Sequence, residues 1–65
     1  MKWDDERDGV FVGRDGARIA ARVVREQKHW EWAAYRAGWT HDCGREATFA
    51  AACSAAEKSV QQINQ

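Results

Sequence analysis

The chain has 65 residues, with ten basic and ten acidic side chains, two cysteines and no proline. A domain this short buries only about 60% of the surface its unfolded chain exposes, which limits it to one small core and makes a partner or a second copy a welcome source of further burial. The balanced charge argues against a strongly electrostatic nucleic-acid binder, and no window has the makings of a signal peptide or of the ~20 apolar residues of a membrane span. The expected location is the cytoplasm.

The charge is unevenly distributed. Residues 1–8 set Asp4, Asp5, Glu6 and Asp8 against Lys2 and Arg7, and read as an acidic N-terminal arm with Trp3 as an anchor to the body. Residues 14–36 are basic, with Arg14, Arg18, Arg22, Arg25, Lys28 and Arg36 against Asp15, Glu26 and Glu31. The remainder, 9–65, reads as a single β-β-β-α domain: an α+β fold in which a three-stranded antiparallel meander is followed by one C-terminal helix packed on one sheet face.

The first strand is the short β-prone run Val10-Phe11-Val12. Asp15-Gly16 follows as a two-residue hairpin turn, then a second strand over 17–25, a polar turn at Gln27-Lys28 and a third strand over 29–36. These turns pair Val12 with Ile19, Val10 with Ala21, Val23 with Trp32 and Ala21 with Ala34. Side chains alternate faces along a strand. One face therefore gathers Val10, Val12, Ile19, Ala21, Val23, Trp30, Trp32 and Ala34, and is expected to meet the helix. The other holds Phe11, Arg18, Ala20, Arg22, Val24, Glu31, Ala33 and Tyr35. Residues 37–47 read as a loop, in which Trp39 caps the open end of the core or offers a contact.

The helix opens at Thr48, a good N-cap, and runs over the alanine-rich 49–63. Phe49, Cys53, Ala56, Val60 and Ile63 recur at helical spacing and form its apolar stripe, with Ala52 beside them.

No catalytic set is expected. His41, Cys43, Cys53 and His29 lack the paired close spacing of a zinc site, and Cys43 with His41 and Asp42 needs a pocket and an oxyanion donor that a two-layer domain of this size rarely forms. No cofactor or metal is anticipated, and the two thiols fit a reducing compartment. The acidic arm (Asp4, Asp5, Glu6, Asp8) reads mainly as a solvated segment, with phosphate-backbone mimicry as the alternative.

The run from Ala17 to Glu57, with Trp30-x-Trp32, Gly44, Ala47-Thr48 and Ala55-Ala56-Glu57, resembles small uncharacterised accessory proteins of GC-rich proteobacteria and their phages. These pair a Trp-bearing hairpin with an alanine-rich helix. The order of sheet and helix also resembles the AP2 domain and the arm-binding domain of tyrosine recombinases, which read DNA with a three-stranded sheet. The characteristic AP2 motifs are absent and the charge is balanced, so no binding residue carries over.

The expected function is that of a non-enzymatic protein-binding accessory factor, such as a phage or mobile-element inhibitor of a host or defence complex. It would bind through the open sheet face with Phe11, Arg18, Arg22, Glu31 and Tyr35, and with Trp39 nearby. An AP2-like nucleic-acid-binding module using the same face is the alternative, because aromatics and guanidinium groups also stack on bases and meet phosphates. A homodimer through the sheet face or the third-strand edge is compatible with either.

Overall fold

The computed structural model describes residues 1–63. It is an α+β fold with one helix on an antiparallel sheet, and the sheet has five strands instead of the expected three: β1 (Lys2–Arg7), β2 (Val10–Asp15), β3 (Arg18–Arg25), β4 (Trp30–Arg36) and β5 (Trp39–Glu46), followed by α1 (Phe49–Ile63). The strands lie in chain order, each paired antiparallel with the next. Both additions come from segments read as irregular. The acidic arm is strand β1, and the loop over 37–47 is strand β5.

The β3–β4 hairpin keeps the anticipated register. Ala21 faces Ala34, Val23 faces Trp32 and Arg25 faces Trp30, and the turn closes with the Glu26 N–H donating to the His29 carbonyl at 2.9 Å. The β2–β3 hairpin departs from expectation twice. Its turn residues are Gly16-Ala17, flanked by the Asp15–Arg18 pair. Gly16 takes a φ of +67° while Ala17 is not left-handed, so the turn has the sign pattern of type II′, with glycine in its first central position. An Asp15-Gly16 turn of type I′ would instead force Asp15 into the left-handed region. Moving the turn by one residue shifts the register by two and leaves every face unchanged. A bulge then places Ala20 as an extra residue between the Gly13–Ala21 and Arg14–Ile19 pairs. That single insertion exchanges the faces of β2 relative to β3.

The consequence is a correction to the two faces. Phe11 lies on the helix side, where its ring stands 4.6 Å from Phe49 and 6.2 Å from Trp30, centroid to centroid. Val10 and Val12 pair with Val24 and Arg22 and move to the open side. Ile19, expected in the core, is exposed, and Ala20 is fully buried in its place.

The helix starts where the cap predicted. The Thr48 hydroxyl accepts from the Ala51 N–H at 3.1 Å, and the Thr48 carbonyl accepts from Ala52. Its buried stripe is Ala52, Ala56, Ser59 and Val60, of which Ala56 and Val60 pack with Ala20, Ala21 and Ala34 of the sheet and with the rings of Trp3 and Trp32. Cys53 sits at the margin of that stripe, half-buried. The side chain of Ile63, the last expected member of the stripe, falls outside the described residues. Small residues on both layers let helix and sheet approach closely, and the two indoles fill the flanks.

Trp3 ties β1 to the body, as its place in the arm led us to expect. Its Nε1 donates to the Glu57 carboxylate on the helix at 2.8 Å. On the opposite flank Trp32 lies over Gly44 of β5, and its Nε1 donates to Glu46 at 3.4 Å. Ser59, the buried hydroxyl of the helix, donates to Asp42 of β5 at 3.2 Å. Both added strands are thus bound to the helix side as well as to the ladder.

Candidate functional site

The helix covers one sheet face. The other carries a groove of about 390 Å³ lined by Arg22 and Val24 of β3, Glu31, Ala33 and Tyr35 of β4, and Cys43 and Arg45 of β5, with the edges of Trp32 and Gly44 at its margin. The register puts these side chains together. Arg22 is opposite Ala33, Val24 opposite Glu31, Ala33 opposite Cys43 and Glu31 opposite Arg45, and directly opposed residues share a face. Of the expected contacts, Arg22, Glu31 and Tyr35 therefore share one surface.

The remaining expected contacts fall elsewhere. Phe11 belongs to the aromatic cluster with Trp30 and Phe49 on the helix side. Arg18 stands across from Asp15 at the hairpin end, beyond the Ala20 bulge, and does not line the groove. Trp39 caps nothing: it opens the edge strand β5 and is 78% exposed. The acidic residues do not form one patch. Asp4 pairs with Arg14 at 3.4 Å, Asp8 pairs with Arg25 at 3.1 Å in the turn, and Asp5 lies opposite Phe11 on the helix-side register. Asp5, Glu6 and Asp8 are exposed to solvent as expected, but residues 2–7 are a strand of the sheet and not an arm outside it. The third strand, β4, is internal, so the edge proposed for self-pairing is occupied by β5.

Two groove residues escaped the sequence reading. Cys43 and Arg45 lie in the segment that reads as a loop and enter the groove only because it forms β5. The signal available was Trp39-Thr40 directly after Gly38, a β-prone pair behind a turn residue.

The electrostatics of the groove are asymmetric. Glu31 is held at one end by its neighbours, with His29 Nε2 at 3.2 Å and Arg45 at 3.9 Å. Arg22 has no such partner. It makes no ion pair within 4 Å among the described residues, and its Nε is buried without a hydrogen-bond acceptor. A buried donor left unpaired costs about 1–3 kcal/mol, more when the group is charged. Other arginines free of carboxylates (Arg7, Arg18, Arg36) are exposed, where water satisfies them. Beside Arg22, Val12 is 1% exposed although it lies on the open side. It is flanked across the ladders by Asp4 and Arg22, with the Arg14–Asp4 pair adjacent, so this part of the face is covered by its own side chains.

Among the described residues no group of three or more His, Cys, Asp or Glu side chains is placed to hold a metal, and no helix is long and apolar enough to cross a membrane. The two cysteines are free. Burial, and secondarily the Glu57 carboxylate, pushes the Cys53 thiol up to about 11. Compared with protein-family models, curated proteins and solved structures, the chain matches none.

Proposed function

We propose that the protein is a non-enzymatic binding module that engages another protein through the groove on its open sheet face, acting as an accessory factor or inhibitor of a larger complex. The observation that carries this reading is the half-buried, unpaired Arg22 beside Tyr35 on a face the helix leaves uncovered. Tyr and Arg are enriched at protein interfaces and among their hot spots, and an arginine lining a groove without a carboxylate neighbour offers a partner a charge to pair with. Affinity capture with the intact protein tests it. A stoichiometric partner should be recovered, and Arg22→Ala or Tyr35→Ala should lose it while circular dichroism stays unchanged. Recovery of no stoichiometric protein, or equal recovery by both variants, contradicts the reading.

A nucleic-acid module is the second reading, favoured by two arginines and a tyrosine on one face. It predicts binding that weakens steeply with salt, and the absence of any shift with short DNA or RNA at about tens of micromolar protein in low salt removes it.

A further inference from the structure

The groove's own charges say what kind of group it takes, on the premise that this face is the binding surface. Its walls are largely apolar: Val24, Ala33, the Tyr35 ring and Cys43. Its one carboxylate, Glu31, is already met by His29 and Arg45. That leaves a single guanidinium, Arg22, which lines the groove and has no carboxylate within 4 Å among the described residues. We propose that the groove receives a carboxylate side chain, Asp or Glu, followed by an apolar residue, from a partner protein, with Arg22 as its anchor.

A planar guanidinium matches a carboxylate through paired N–H···O bonds, and the match strengthens where water is excluded. A nucleic-acid backbone fits less well. It needs several free cations in a row, whereas the groove offers one, Arg45 being already paired with Glu31. The volume lies at the lower end of the range for small-ligand sites, which suits a short stretch of side chains on an extended segment.

The test is an NMR titration of the full-length ¹⁵N-labelled chain with N-acetyl-Glu-Leu-amide, N-acetyl-Gln-Leu-amide and inorganic phosphate. The glutamyl peptide should shift Arg22 Nε–H and the amides of Ala33, Tyr35 and Cys43 saturably, and bind about tenfold tighter than the glutaminyl peptide. In Arg22→Gln that preference should vanish. The wild-type comparison of the two peptides stands even should the variant fail to fold. Equal affinity for the two peptides, no shift at these residues up to about 50 mM, or phosphate binding as tightly as the glutamyl peptide each overturn the proposal. A captured partner that Tyr35→Ala loses but Arg22→Gln retains refutes the carboxylate anchor and leaves the open-face reading standing. Peptide shifts confined to the helix side refute both.

Discussion

Individual side chains in this small domain are placed by very short-range constraints. Gly44 is one of them. A Cβ built there meets Trp32 Nε1 at 2.8 Å and two further indole atoms at 2.9 Å, so the ring over the sheet requires a residue without a side chain. Gly44→Ala must displace the indole and its bond to Glu46. Overpacking of this kind costs about 1–3 kcal/mol, and each kcal/mol lowers the melting temperature of a domain this size by roughly 4–8 °C. A thermal melt that leaves Gly44→Ala at the wild-type midpoint would show that Trp32 is not packed against β5. The two cysteines offer a second test. Cys43 is exposed and Cys53 is half-buried, with its thiol raised to about 11 by burial and by Glu57. Iodoacetamide at pH 8 should therefore modify Cys43 first, as read by mass spectrometry. The same shift has a consequence for stability. Below about pH 9, the ordinary thiol value, Cys53 is protonated folded and unfolded and contributes no pH dependence. Between 9 and 11 only the unfolded chain releases its proton, so stability falls as pH rises. Denaturant midpoints should decline across that window, and decline less in Cys53→Ala.

At the scale of elements, β1 is the part whose role is most readily mistaken. It is rich in charge, which is unusual for a strand but common at sheet edges, where charged side chains block pairing with other chains. It nevertheless pairs with β2 and sends Trp3 across to Glu57. Deleting residues 1–8 removes a strand, uncovers the β2 edge and withdraws an indole from the core. We expect the truncated chain to lose cooperative unfolding or to melt well below the intact protein, and a truncation that melts normally would mean β1 contributes nothing to the fold. The same strand shows where reading the sequence stops. The β3–β4 register and the Thr48 cap were legible because each rests on local chemistry: a turn at Gln27-Lys28 that gathers apolar residues on one face, and a hydroxyl three residues ahead of an N–H it can accept from. The Asp8-Gly9 dipeptide ahead of Val10 carried the same hairpin signal as Asp15-Gly16, but the acidic run before it concealed a strand. The Ala20 bulge left no mark at all in a stretch of Arg, Ile and Ala. It is a tertiary choice that puts Phe11 against Phe49 and leaves Val12 beside Arg22. Most of the groove was visible in Arg22, Val24, Glu31, Ala33 and Tyr35. The rest, Cys43 and Arg45, depended on β5, whose glycine and charged residues look like a loop until Trp32 is seen lying over Gly44.

For the molecule as a whole, the one helix among the described residues covers one side of the sheet and leaves the other open. The two largest fully buried side chains, Val12 and Val23, point to opposite faces, so the sheet is packed on its helix side and partly closed by its own side chains on the open side. The groove is what remains, with β1 and β5 as the two sheet edges. Zero net charge fits recognition by shape and one buried ion pair better than capture by a broad electrostatic field. Backbone hydrogen exchange of the complex with a captured partner, set against the free protein, reads the surface directly. Slowed exchange should map to Arg22 and Val24, to Ala33 and Tyr35, and to Cys43 and Arg45, with β1 and the exposed side of α1 unchanged. Protection centred on the helix, or confined to the Trp39 end of β5, would contradict the account.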